Sequence, residues 1–364
     1  MQICSNEIER AQDSKSWLIS PFVDLCFICG GFLWLLFGLH AFALCQVVNL
    51  HQLKFLESIS IIGVLFVAEA HTISTFFLVA ESDSARADLR APLNRLLPCS
   101  GHASWFVPAL LFLLVFALSC LCLQFVVVPA VLAKIYLLLV PQHFIAQSRG
   151  IFLLYLLRAD SVCTGFRRWF LFFTTRIVMF YWISVLLSHR SSPSQVFLFQ
   201  KLPDWSFLPD VVPAALYLLS LGSCLLLSVI MVADFVAGRG RASWPGSLQL
   251  ISGLFLFLIP EPFLGDLWLY APAYFHGSQY LCMVYCRTKT TREFLSFVFW
   301  PLALAFSVIV FAGFPLLLQG LGVASGSGTG AAVAVVFTLA QFVHIVADAR
   351  IWKLKNPSLR AALS

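Results

Sequence analysis

Apolar stretches of about 20 residues follow one another along this chain, each long enough for a helix to cross a bilayer. They lie at 21–46, 55–80, 104–125, 128–157, 167–188, 210–236, 246–263, 266–287, 294–319 and 331–352, separated by short polar breaks. The pattern predicts an all-α, polytopic transmembrane helix bundle of about ten spans. The shortest breaks fall near Pro129 and at Pro260-Glu261-Pro262, where proline favours a helix end. The Ser- and Pro-rich stretch 189–209 reads as the longest outer loop, without regular structure. Gly322–Gly330 reads as a flexible outer turn.

Composition removes the soluble alternative. Sixty per cent of the residues are apolar and 11% are charged, whereas a soluble domain carries about a quarter of its residues as charges. The first 16 residues are polar and of mixed sign, with Glu7, Glu9, Arg10, Asp13 and Lys15. The apolar run after them exceeds a signal-peptide core of roughly 7–15 residues, so it reads as a retained span. The net charge of +6 is spread over many short loops, which argues against nucleic acid as a partner.

Charge placement also orients the bundle. With ten spans and a cytoplasmic N-terminus, 17 of the 23 Lys and Arg fall on the cytoplasmic side, and only Lys54, Arg190 and Lys201 on the other. Both termini are therefore expected in the cytoplasm, in a bacterial-type inner (plasma) membrane. The expected division is a cytoplasmic segment 1–20, a single bundle domain 21–353 and a cytoplasmic tail 354–364. The 11 cysteines lie mostly within apolar runs. Cys26-x-x-Cys29 has redox or metal spacing, but inside a span it reads first as a pair of small apolar residues.

The chemistry is carried by histidine. His71, His143, His276 and His344 sit in spans two, four, eight and ten, all running toward the cytoplasm. Each precedes a basic cluster by roughly 6–15 residues, which sets the four at one depth in the cytoplasmic half. An ionisable group inside a span is costly and by default faces the bundle interior. Each has a polar residue one turn on: Thr75 after His71, Gln147 after His143, Gln279 and Tyr280 after His276, Asp348 after His344. Spacings of three and four share a helix face, and a metal-bound imidazole needs an acceptor on its second nitrogen. Asp348 is expected to serve His344 in that way. Single histidines in spans often make only helix-to-helix hydrogen bonds or relay protons; four at matched depth point instead to metal ligation.

Neutral imidazoles with no facing thiolate suit iron, zinc or copper. One depth favours a mononuclear or closely spaced site. Haem is the second expectation, because two bis-His haems would place ligand pairs at two depths. Zinc would imply hydrolysis, with Glu69 or Glu261 as base. Among other polar groups, Glu69 faces away from His71 and is expected to pair with a base on a neighbouring helix. Arg149 is placed to meet an anionic head group. Trp352-Lys353 reads as an interfacial anchor. The separations His71 to His276 and His143 to His344, 205 and 201 residues, match spans one to four with spans seven to ten as a parallel repeat.

The strings His143-x3-Gln147-x2-Gly150, His276-x2-Gln279-Tyr280 and His344-x3-Asp348-x3-Trp352-Lys353 resemble motifs of a group of bacterial multi-span membrane proteins, most without an assigned function. These are loosely similar to the Brp/Blh-type β-carotene oxygenases, membrane bundles whose intramembrane histidines are thought to hold iron. The resemblance implies a reaction class: an oxygen-dependent oxidoreductase with His-ligated iron and a lipid-soluble substrate. In that expectation the metal ligands are His71, His143, His276 and His344, with Gln147, Gln279, Tyr280 and Asp348 around them. Membrane lipid, a lipid-soluble small molecule and an electron donor or membrane subunits are the expected partners. The competing classes are a haem-binding electron-transfer subunit, a proton-coupled transporter and an accessory subunit of a membrane complex.

Overall fold

Lipid offers no partner to a bare backbone N–H or C=O, and an α-helix satisfies both within itself. The apolar stretches fold accordingly. The computed structural model describes residues 16–45, 69–81, 106–159, 161, 163, 165–188, 196–238, 243–259, 270–291, 293–323 and 328–352. The helices among them are α1 (Pro21–Val23), continued by a π-turn Asp24–Ile28, α2 (Gly31–Cys45), α3 (Ala70–Glu81), α4 (Phe106–Cys122), α5 (Val128–Arg158) and α6 (Gly165–Leu186). They continue with α7 (Val211–Val236), α8 (Trp244–Leu256), α9 (Ala271–Thr291), α10 (Glu293–Val308), a π-turn Ile309–Gly313, α11 (Phe314–Gly320) and α12 (Gly328–Ile351).

Among the described residues, five helical segments are long and apolar enough to cross a membrane: Val128–Arg158, Gly165–Leu186, Val211–Val236, Pro301–Gly320 and Gly328–Ala349. The pair Pro21–Ile28 and Gly31–Gly38, bent by 53°, makes a sixth if it is one span. A helix lies on every predicted apolar stretch, but α3 and α8, with 12 and 13 residues, fall short of a span within the described residues. The outer helix α7 leaves Leu218, Val229, Val232 and Val236 exposed, a surface suited to acyl chains.

The centre is built from α12 and α5. Gly330, Ala331, Ala332, Ala334, Ala340 and Ala347 let neighbouring backbones approach α12 closely, and the five alanines are buried. Pro129 opens α5, as its missing N–H allows. Pro141 lies inside α5 and gives the Leu137 carbonyl no helical donor. The buried Trp182 of α6 supplies one, its indole N–H donating at 3.0 Å.

The first helical stretch is broken rather than continuous. The buried Asp24 carboxylate accepts from the backbone N–H of Leu18 at 2.6 Å and of Ile19 at 3.0 Å, and from the Tyr155 hydroxyl at 2.6 Å. Gly30 then turns the chain at φ +75°, where a Cβ would meet the Phe275 ring at 2.7 Å. The stretch 189–209, expected to be irregular, carries a small antiparallel hairpin. β1 (Val196–Phe197) pairs with β2 (Gln200–Lys201), Val196 opposite Lys201 and Phe197 opposite Gln200. Its turn holds Leu198 and Phe199 at positive φ. Burial compensates that strain: Phe197 stacks on Tyr270 at 5.1 Å, and the Leu198 N–H donates to the Tyr270 hydroxyl at 3.1 Å. At the other end, Arg167 of α6 and Asp234 of α7 pair at 2.8 Å.

Several expectations lie outside the described residues: segment 1–15, the tail 354–364, the break at Pro260-Glu261-Pro262, and Lys54 and Arg190.

Candidate metal centre

Helices α3, α9, α5 and α12 form a closed ring of neighbours, each packing against the next and α12 against α3. Each contributes one of the four histidines singled out in the sequence, and the rings come together. Ring centroids are 4.7 Å apart for His71 and His276, 4.6 Å for His71 and His344, and 4.6 Å for His143 and His276. His143 and His344 are 5.0 Å apart, His276 and His344 5.9 Å. Most of these contacts are edge-to-face. His71, His276 and His344 are buried to within 2% exposure, while His143 stands at the edge of a cavity.

The residues one turn on behave in different ways. Thr75 Oγ1 lies 2.7 Å from His344 Nδ1 and 2.6 Å from the Tyr280 hydroxyl, linking three of the four helices. Asp348 does not serve His344 as expected. Its Oδ2 lies 3.8 Å from His143 Nε2 on the neighbouring helix. Side chains at i and i+4 project to the same face, so both meet a third group instead of each other. His143 Nε2 and His344 Nε2 face one another at 3.1 Å.

Gln147 and Gln279 join an amide chain beside the centre. The Gln147 amide donates to the His276 carbonyl at 3.0 Å and to Gln279 Oε1 at 3.3 Å. The Gln279 amide donates to the Ile28 carbonyl at 2.9 Å and to Gln249 Oε1 at 2.8 Å, and Gln249 donates to the Ser148 carbonyl at 2.6 Å. This chain fixes the broken segment and α8 against α5 and α9. Among the described residues Glu69 does not pair with a base: Thr72 donates to its carboxylate at 2.8 Å and Gln341 also donates to it. The Arg149 guanidinium stacks over the Phe172 ring at 4.5 Å. Cys29 gives its thiol to the Pro245 carbonyl at 3.4 Å.

Two features indicate an ion. The first is His276, 1% exposed, whose two ring nitrogens both lack a hydrogen-bond partner among the described residues. A buried imidazole with neither nitrogen satisfied carries a desolvation cost that coordination removes. The second is the donor geometry. Within the set His71, His276 and His344, and within the set His143, His344 and Asp348, the donor atoms lie within 4.8 Å of one another. Metal–ligand bonds of about 2.1 Å need little more closure than that.

The second set opens on a cavity of about 210 Å³ lined by His143, Gln147, Gly150, Tyr280, Asp348 and Trp352, with Ala146, Ile151, Leu154, Met283 and Ala349 as its apolar wall. Trp352, read from sequence as an anchor only, packs its ring against Tyr280 at 5.5 Å. Thr72, Gln249 and Gln341 escaped the sequence reading. Gln341 precedes His344 by three positions, a one-face spacing that would have found it. No protein-family model, curated protein or solved structure matches the chain.

Proposed function

We propose that the protein is an integral membrane metalloenzyme, an oxygen-dependent oxidoreductase whose His-ligated iron acts on a lipid-soluble substrate. The observation that carries this reading is the convergence of four imidazoles from four helices around His276, a buried ring with no hydrogen bond on either nitrogen. Iron held by imidazole and carboxylate with open positions supplies oxygen chemistry. The chain's own residues do the rest. Thr75 and Tyr280 orient one another beside His344. The aliphatic wall of the cavity takes an apolar chain and keeps water out. Gln147 Oε1, buried and without a hydrogen-bond partner among the described residues, offers an acceptor to a hydroxyl on that chain. Isoprenoids, quinones, fatty acyl chains and carotenoids are the substrate classes that fit, and the electrons beyond those of the substrate come from a separate donor.

Haem fits the centre less well, because rings packed at 4.6–5.0 Å leave no slot for a macrocycle. Of the two bases that zinc hydrolysis would use, Glu69 is engaged by Thr72 and Gln341 and does not line the cavity, and Glu261 lies outside the described residues. The membrane placement belongs to the same proposal: ten spans, both termini in the cytoplasm and a bacterial-type inner membrane. Reporter fusions at the two ends test it, and activity of an outer-side reporter at either end would overturn it. Iron analysis of the detergent-purified chain tests the function. Tightly held iron, reduced in His143→Ala, together with oxygen uptake that depends on an apolar substrate, is the expected result. Protein free of tightly held metal after purification and after iron loading would end the proposal.

A further inference from the structure

The five candidate ligands do not form one set. They form two, His71/His276/His344 and His143/His344/Asp348, with His344 common to both. A single ion with bonds of about 2.1 Å needs all of its donors within roughly 4.3 Å of each other, a condition each triad approaches and the five together do not. The environments differ as well. The all-histidine set is buried on every side, the arrangement of a closed site. The set with Asp348 borders the cavity, the arrangement of a site with a position left open.

Charge supports a second cation. Glu69 and Asp348 are 1% and 6% exposed, and among the described residues neither pairs with Lys or Arg. Among the described residues Asp348 Oδ1 and Glu69 Oε1 also lack hydrogen-bond partners. Buried carboxylates are retained when cations neutralise them, and the Asp348 carboxylate stands 3.8 Å from His143 Nε2 in the cluster.

We infer that the centre takes two metal ions, one held by His71 and His276, the other by His143 and Asp348, with the His344 ring between them. This rests on the metalloenzyme reading above and specifies its site. His344 presents Nε2 to His143 at 3.1 Å and Nδ1 to Thr75 at 2.7 Å. With two ions bound, Nε2 serves the ion at His143 and Asp348, and Nδ1 leaves the Thr75 hydroxyl for the ion at His71 and His276. The ring gives up its remaining N–H proton in the process, one proton released per chain. The ion at His143 and Asp348 is the one that substrate in the cavity meets.

The test is metal stoichiometry on the full chain in detergent. Protein stripped by a chelator is loaded with iron(II) without oxygen, or with zinc(II) as a redox-inert stand-in, then desalted. Two tightly held ions per chain are expected in the unaltered protein. Asp348→Asn and His276→Leu are each expected to hold one, and His344→Ala none. One ion per chain in the unaltered protein, lost in both single variants, overturns the two-ion centre and leaves the metalloenzyme reading standing. No bound ion overturns both. The first measurement needs no variant, so it decides even where a substituted chain fails to fold.

Discussion

Thr75 and Tyr280 stand 205 positions apart in the chain, and their hydroxyl oxygens meet at 2.6 Å. Each lies four residues after a histidine of the cluster. His71 and His276 are separated by the same 205 positions, and their rings also touch, at 4.7 Å. His143 and His344, the other pair matched by the repeat reading, face each other through their Nε2 atoms. Positions that correspond in such a repeat therefore contact one another at the centre, as they would around an axis between α3 and α9 and between α5 and α12.

The Thr75–Tyr280 contact gives the first prediction. Tyr280→Phe keeps the ring and its packing on Trp352 and removes only the hydroxyl. The loss of one buried hydrogen bond is expected to lower stability by about 1–3 kcal/mol. Bound metal should be unchanged, because the proposed ligands are the four histidines and Asp348, and the Tyr280 hydroxyl is engaged by Thr75. Substrate-dependent oxygen uptake should fall, because the residue lines the cavity. Melting in detergent, metal analysis and an oxygen electrode read the three effects. Loss of the metal in this variant would make Tyr280 a ligand.

His276 should behave in the opposite way. Among the described residues it has no hydrogen bond to lose on either nitrogen, so His276→Leu, which keeps most of the volume, is expected to melt close to the parent when both are stripped of metal. The parent should then gain stability from added metal, about 2.7 kcal/mol at a free concentration 100-fold above the dissociation constant. The variant should gain markedly less. Equal metal-induced shifts in the two proteins would show that His276 binds nothing.

These relationships separate what the chain discloses from what it conceals. The four histidines are legible because each lies on an even-numbered stretch at a similar distance from a basic cluster, so parity and rise per residue alone set their depth. Their partners are not legible in that way. Asp348 is read as serving His344 because both share a face, but on that face it meets His143 of another helix. The bend at Asp24 depends on Tyr155, 131 residues away, and no local pattern announces it. The strained turn at Leu198–Phe199 has neither Gly nor Asn to signal it and is held by burial against Tyr270. The length of the apolar runs shows that helices form, whereas broken helices and third-party contacts are decided by neighbours distant in sequence.

Asp24 yields a third prediction. Its carboxylate takes two short backbone N–H bonds and the Tyr155 hydroxyl, and it is fully buried. Asp24→Ala leaves those donors unsatisfied. Hydrogen bonds to a charged group are worth about 1.5–3 kcal/mol each, so a loss of several kcal/mol is expected, enough to lower the yield of folded protein. Tyr155→Phe removes one of these bonds and should cost about 1–3 kcal/mol. In the Asp24→Asn background, where the acceptor is neutral, the same change should cost less. Denaturant unfolding in detergent measures the coupling. An equal cost of Tyr155→Phe in both backgrounds would place the support of the first broken helix elsewhere.

The last prediction concerns the support of His143. Pro141 sits two residues before that histidine and has no N–H, so the carbonyl of Leu137 loses its helical donor. The Trp182 indole fills the vacancy from α6 at 3.0 Å. Trp182→Phe should therefore leave a buried carbonyl unsatisfied and cost about 1–3 kcal/mol from that term, with the lost contact of the larger ring added to it. Pro141→Ala restores a backbone N–H to position 141, which reaches the same carbonyl. In that background the hydrogen-bond part of the Trp182→Phe cost should vanish and only the packing part remain. The double-mutant cycle thus predicts a positive coupling of about 1 kcal/mol or more. A coupling near zero would mean that the indole holds α6 by its surface alone and that the proline owes it nothing. The same cycle read through metal affinity shows whether Pro141 positions His143: if it does, Pro141→Ala weakens metal binding even though it adds a hydrogen bond to the helix.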